Sequence, residues 1–401
     1  MAAQMKKITT GLAALTVLLA SGCTADVQES VDGISVERAA VDAMEIVRVS
    51  GTTAPWSVDT LLQIGSPGLG DTPAPDEFGR VTSVALGPDG LIYVADAINR
   101  EIRVFDRSGA FVRALGRQGE GPGEFGGVQA IAWAGSTLLS MDSNVGRIGE
   151  WSVSGEWLGQ RPHPGRVSGS PTLIRFYLSE SGTPYSWSLR PRPTGSERVY
   201  VRQGADSSGD TTGQKMANLD GPAAFVVCEE ASGGITTFPI PFMPFLRQTP
   251  ADGGHLVLTD GADYRIAWVG PEGDTVRVLE RQVEPDLVDA AQWGEEVQPF
   301  LDFKDERSDA RCRPARMDRP TAKPAILELY HDGTGNLWVE TWRAGVRWFD
   351  VYDSELQPLR TVPAPAPGRV TPYLSDLEAL VVVTDSLDVQ YVQLLRFQPP
   401  A

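Results

Sequence analysis

The sequence predicts an all-β fold: one six-bladed propeller of four-stranded antiparallel blades. Three observations predict it. Short runs of alternating apolar and polar residues are separated by Gly- and Asp-rich turns, the signature of half-buried antiparallel strands. Units of such runs recur along the chain, and four strands per unit is the blade of a propeller. The last unit lacks one run, while an unassigned run, TLLQIG at 60–65, precedes the first complete unit. A ring in which the first strand completes the last blade leaves no open sheet edge.

The N-terminus comes first. Lys6 and Lys7 precede a short apolar stretch at 11–20, and Leu19-Ala20-Ser21-Gly22-Cys23 follows. The stretch is too short to span a bilayer comfortably and fits a signal segment over residues 1–22. The small residues before Cys23 resemble the lipobox of bacterial lipoproteins. That resemblance implies acylation of Cys23, and Thr24 in place of Asp implies the outer membrane. Residues 23–42 are polar and acidic and are expected to form a flexible tether. The propeller is then expected over 43–401.

The clearest unit spans 78–116, with VTSVAL, LIYVAD, EIRVFD and FVRALG as its four runs. Further units follow at 128–160, 172–203, 244–281, 325–362 and 370–398. The stretch 204–220 is expected to be an exposed loop. Residues 282–323 break the pattern and read as an insertion across one face, with a short helix opening near Pro285 and Asp286 and running through Trp293 and Phe300. Cys228 and Cys312 remain once Cys23 is set aside, and an oxidising compartment would pair them. The bond would close a loop of roughly 80 residues, worth about 4 kcal/mol in the chain-entropy model.

The run from Pro88 to Phe111, with its PDG turn followed by LIYVAD and IRVFD, resembles the NHL repeat. The following GRQGEGPGEF (116–125) is similar to the inter-blade linker of bacterial six-bladed propeller lipoproteins. The resemblance implies an NHL- or TolB-like six-bladed fold. It implies no activity, because that fold hosts hydrolases, lyases, carriers and scaffolds alike.

Composition narrows the function. The 401 residues carry a formal net charge of −17, which repels nucleic-acid phosphates and anionic headgroups. Nucleic acid is excluded as a partner, and membrane attachment is expected only through the lipid. An acidic residue closes the second run of most units: Asp96, Asp142, Asp260, Glu340 and Asp385. These carboxylates are read as turn caps; convergence on a central cation is the other reading.

His163, His255 and His331 are the three histidines, and none shows metal-ligand spacing. No catalytic residue and no metal ligand is assigned. Calcium, which prefers oxygen ligands, is left open as a cofactor. Tyr185, Trp187, Trp342 and Arg343 are the candidate ligand-binding residues, weighed against plain sheet packing.

The expected function is a monomeric, non-catalytic envelope lipoprotein. Its propeller face would bind a protein, peptide or glycan. The alternative is an exported calcium-dependent hydrolase of the lactonase or gluconolactonase type. It would require oxygen ligands from several blades to meet at one point.

Overall fold

The computed structural model describes residues 27–31, 33–68, 74–163, 175–192, 195–203, 211–214, 225–365 and 370–400. The signal segment and Cys23 lie outside the described residues. Strands β1 (Val27–Val31), β2 (Ile34–Val41) and β3 (Met44–Ser50) come first, followed by β4 (Ser57–Ile64). Blade 1 comprises β5 (Val81–Leu86), β6 (Ile92–Asp96), β7 (Glu101–Phe105) and β8 (Phe111–Leu115). Blade 2 comprises β9 (Ala130–Ala134), β10 (Thr137–Asp142), β11 (Arg147–Ser152) and β12 (Trp157–Pro162). Blade 3 comprises β13 (Tyr177–Leu178), β14 (Pro184–Arg192), β15 (Gly195–Arg202) and β16 (Thr211–Gln214). The last of these falls within the stretch expected to be an exposed loop, which corrects that expectation: TTGQ pairs with Arg198–Val201 and supplies the fourth strand.

Two strands outside the blades follow, β17 (Phe225–Glu229) and β18 (Ile235–Pro239). Blade 4 comprises β19 (Arg247–Pro250), β20 (Leu256–Thr259), β21 (Arg265–Val269) and β22 (Thr275–Arg281). The insertion then contributes helix α1 (Ala290–Glu306) and β23 (Arg311–Arg313). Blade 5 comprises β24 (Ile326–His331), β25 (Leu337–Arg343), β26 (Val346–Tyr352) and β27 (Pro358–Pro363). Blade 6 comprises β28 (Tyr373–Leu374), β29 (Glu378–Thr384) and β30 (Gln390–Gln398), completed on its outer side by β4.

That closure is the one the sequence predicts. Leu62 of β4 pairs with Leu394 and Ile64 with Val392. Ile64, Leu62, Val392 and Leu394 then pack with Val84, Ile92 and Phe105 of blade 1. Every seam between neighbouring blades has its own apolar cluster. Tyr93 and Leu115 meet Ile131 and Trp151 between blades 1 and 2, and Met141 and Ile148 meet Phe176 between blades 2 and 3. Trp338 and Phe349 meet Leu395 and Phe397 between blades 5 and 6. Alternation along each strand makes this possible, because residues two apart face the same seam.

The N-terminal segment departs from expectation. Residues 27–31 and 34–41 are strands, not a flexible tether, and the ordered fold begins well before residue 43. β3 adds in parallel to the outer strand of blade 4, and β2 and β1 follow, giving a seven-stranded sheet. The reason is one-sided burial: Ile34, Val36, Val47 and Val49 enter the core between blades 4 and 5, beside Tyr264, Leu279 and Tyr352. Glu37 and Asp42, which give the segment its acidic look, stay exposed. Asp42 takes the left-handed conformation in the tight turn between β2 and β3 (φ 55°), where Asp is among the tolerated residues. The added sheet covers an edge that would otherwise be open.

The insertion after blade 4 is present and has a partner that the sequence did not announce. β23 pairs with β17, and β17 with β18, so excursions from either side of blade 4 form one small sheet. Cys228 lies opposite Cys312 in that ladder, and the two form a disulfide. Helix α1 begins later than Pro285 and runs longer than a short helix, because Asp289 caps the Ala291 and Gln292 N–H groups. Val297 and Phe300 on its inner face pack on Val226, Cys228 and Ile240. Among the described residues, no helix is long and apolar enough to cross a membrane.

Candidate functional site

The repeated carboxylates serve their own turns. Asp96 is fully buried and accepts from the N–H groups of Gly79 (2.7 Å), Arg80, Ile98 and Asn99 (3.1 Å each) and from Asn99 Nδ2 (2.8 Å). Asp142 accepts from Gly126 N at 2.7 Å and Val145 N at 3.3 Å. Asp260 accepts from Ala262 N at 3.1 Å. Asp385 accepts from Leu387 N (2.8 Å), Val389 N (3.0 Å) and Tyr391 Oη (3.1 Å). The Val389 and Leu387 N–H groups hold its carboxyl below the usual value.

Glu340 differs. It is buried in the middle of β25, ion-paired with Arg347 and accepting from Tyr330 Oη at 3.4 Å. Burial raises its pKa, against the pull of Arg347. Among the described residues, no three His, Cys, Asp or Glu side chains are grouped to hold a metal ion. The oxygen set that a calcium-dependent hydrolase needs is therefore not assembled from these carboxylates.

The four candidate ligand-binding residues do not form one surface. Tyr185 and Trp187 are 5 % exposed and sit between blades 3 and 4 with Tyr177, Tyr200 and Leu256. They are core, as alternation on a half-buried strand requires. Trp342 and Arg343 end a strand and do not lie in a connecting loop. Arg343 is committed to Asp350, at 2.6 Å from Oδ2. Asp350 also receives Arg281 Nη1 at 3.0 Å, Tyr264 Oη at 2.9 Å and Thr361 Oγ1 at 2.9 Å. This buried network ties blade 4 to blade 5. Trp342 lines a separate cleft there, its ring 4.3 Å from the Lys323 ammonium. Lys323 is in turn 3.6 Å from Asp286.

The cavity that all six blades approach lies on the axis. The inner strands surround a volume of about 290 Å³, at the small end of ligand pockets. Blades 3 and 5 close in front of blade 4: a Cβ on Gly182 would stand 3.1 Å from Gly333 O, and one on Gly333 would stand 3.0 Å from Gly182 Cα. Both glycines have φ of 76°, so the two turns need glycine for conformation and for contact. Among blade 4 residues, only Thr249 reaches the cavity.

The cavity wall is apolar at Leu86, Trp133, Phe176 and Tyr373, and its charges are few. Arg175 stacks on Tyr177 (4.3 Å to the ring centroid) and lies 5.5 Å from the Tyr330 centroid. Its Nη1 is 3.3 Å from Thr371 Oγ1, and its Nη2 is 3.4 Å from Glu328 Oε1. Burial acts to lower its pKa, but Tyr177 and Glu328 outweigh it and the guanidinium stays charged.

Two further wall residues are ionisable. His331 is buried with Nδ1 3.2 Å from Pro250 O, and burial lowers its pKa. Asp332 accepts from the Thr334 N–H and hydroxyl (2.8 Å each), Asn336 N (3.3 Å), Asn336 Nδ2 (2.8 Å) and Trp338 Nε1 (3.0 Å). Its charge is spent on the hairpin that the DGTGN segment forms. Sequence reasoning missed Arg175, Trp133 and Tyr330, because no spacing marks residues that only ring closure brings together.

Comparison with known proteins agrees with the architecture. Residues 72–158, most of blades 1 and 2, match the model of a family described as DUF5128, 6-bladed beta-propeller. No curated protein matches the sequence. Among solved structures, a Bacteroides fragilis protein provisionally described as exported is similar at a TM-score of 0.44 and 12 % identity, over 88 % of this chain and 100 % of that one. Virginiamycin B lyase from Staphylococcus aureus is similar at 0.35 and 10 %, over 96 % and 94 %. Regucalcin, a calcium-binding protein from Agrobacterium tumefaciens, is similar at 0.36 and 12 %, over 87 % and 97 %. Such distant likenesses transfer no activity. Six sheets with a shared last blade, together with the matching family model, make the fold a six-bladed β-propeller.

Proposed function

We propose that this chain is a non-catalytic recognition module of the bacterial cell envelope, anchored by lipid on Cys23, whose axial cavity receives part of a protein, peptide or glycan partner. One observation carries the reading. The repeated carboxylates Asp96, Asp142 and Asp385 are consumed by their turns, while the axial cavity keeps an aromatic and apolar wall around one guanidinium. That is the composition of a binding pocket: apolar area for affinity and a few polar groups for orientation. Export is supported by the lipobox-like run before Cys23 and by the Cys228–Cys312 disulfide. The calcium-dependent hydrolase is not adopted, because among the described residues no three His, Cys, Asp or Glu side chains are grouped to hold a metal ion.

The test compares envelope proteins captured by the lipidated wild-type chain and by Thr371→Trp, which puts a bulky side chain on the cavity wall. Wild type should retain a partner that the variant loses. Calcium-dependent lactone hydrolysis by the purified chain, or equal capture by both proteins, would overturn the reading.

A further inference from the structure

The chemistry of the axial wall points to one kind of ligand group. Resting on the recognition reading above, we propose that the cavity binds a carboxylate attached to a compact apolar body, with the carboxylate on Arg175.

Two hydroxyl protons on the wall are turned into the protein: Thr82 Oγ1 donates to Val128 O at 2.9 Å, and Thr334 Oγ1 donates to Asp332. The Asp332 carboxylate already accepts five bonds. A cationic ligand would therefore meet no carboxylate with capacity to spare on the wall.

Donors, by contrast, are in surplus. The Arg175 guanidinium has five N–H groups; its contacts to Thr371 and Glu328, at 3.3 and 3.4 Å, are long, and it also bonds the Tyr177 hydroxyl. A ligand carboxylate would make charge-assisted bonds of about 2.7–2.9 Å there. Tyr177 and Tyr330 hold the guanidinium plane from the side, so little side-chain freedom is lost on binding. The rest of the wall, Leu86, Phe176, Tyr373 and Leu374, suits an apolar body. Glu328 neutralises Arg175 in the free protein, so a ligand carboxylate must share the guanidinium with Glu328, which the remaining N–H groups of Arg175 allow.

Two sources carry this chemistry: the C-terminal residue of a peptide and a free apolar carboxylic acid. The experiment titrates the mature wild-type chain by calorimetry with 3-phenylpropionate, 3-phenylpropanamide and 3-phenylpropylamine. It is repeated with acetyl-Ala-Ala-Phe as free acid and as amide. The acids should bind at least about tenfold tighter than the amides and the amine, the scale of one charge-assisted hydrogen bond. Tighter binding of the peptide acid than of 3-phenylpropionate identifies a chain terminus, and the reverse order identifies a free acid. Arg175→Gln should abolish the preference and Arg175→Lys should restore part of it. Near-UV circular dichroism checks that both variants fold.

Equal binding of acid, amide and amine overturns the carboxylate assignment and leaves the recognition reading standing, as does failure of every probe to bind. Loss of the recognition reading shows separately, as unchanged partner capture by Thr371→Trp.

Discussion

Asp96 stands fully buried under five donated hydrogen bonds, and its replacement separates a capping residue from a ligand-binding one. Asp96→Ala removes a buried carboxylate that accepts five hydrogen bonds and should cost about 2–4 kcal/mol. Asp260→Ala removes one bond at an exposed turn and should cost less than about 1 kcal/mol. Urea unfolding of both variants checks the contrast. The repeat of Asp at the end of the second strand was legible in the sequence, and so was its role. The register in blade 5 was not. Asp96 lies opposite Val81, and the residue opposite Ile326 is Thr341, not Glu340. Thr341 ties the corresponding segment with the opposite polarity, its hydroxyl donating to Ala325 O at 2.6 Å. Both blades carry a bulge at this point, and a bulge cannot be seen in an alternating pattern.

His331 supplies the pH prediction at the same scale. Burial depresses its pKa below the ordinary 6.5. The unfolded chain therefore takes up a proton that the folded chain refuses as pH falls through this value. The stability it contributes is present above pH 6.5 and is lost as pH falls towards the folded pKa. Glu340, raised by burial, slopes the opposite way above 4.5, so the two must be separated. Thermal unfolding between pH 7 and 5 should show a smaller decline in His331→Gln than in wild type.

The two excursions flanking blade 4 behave as one element. Their joint sheet, α1 and the disulfide share the cluster of Val226, Ile240, Val297 and Phe300. A covalent link across 84 residues restricts the unfolded chain by about 4 kcal/mol in the loop-entropy model. Cys228→Ser with Cys312→Ser should lower the stability of this element by up to that amount and expose the neck near Leu287 and Ala322 to protease. The blades, whose clusters do not include the cysteines, should stay folded.

Sequence reasoning found the cysteine pair and the helix but not β17 and β18. Their patterns bury alternate residues on one face only and leave Phe225, Val227 and Ile235 exposed. In sequence they are indistinguishable from blade strands or from loop. The same difficulty hid β2, which buries only Ile34 and Val36.

At the scale of the whole molecule, the account rests on closure. The number of blades, the missing strand and its upstream replacement were all legible, because each is a count of repeats and turns. The axial cavity was not. Arg175, Tyr330, Trp133 and Tyr373 belong to four different blades, and no local pattern predicts that their inner strands converge. The aromatic residues chosen from sequence, Tyr185 and Trp187, were conspicuous because they are large. Large aromatic residues more often fill seams than face ligands.

Closure also fixes how the cavity fails. If β4 leaves β30, the cluster between blades 6 and 1 opens and Tyr373 loses its support. The direct test uses Gln63 and Gln393, which lie opposite each other across β4 and β30 with Nε2 of Gln393 2.8 Å from Oε1 of Gln63. In the mature chain carrying Gln63→Cys and Gln393→Cys, oxidation followed by peptide mass spectrometry should find an intramolecular bond between these positions and unchanged Cys228–Cys312 pairing. Free thiols at 63 and 393, or bonds only between molecules, would contradict the closed ring on which the cavity depends.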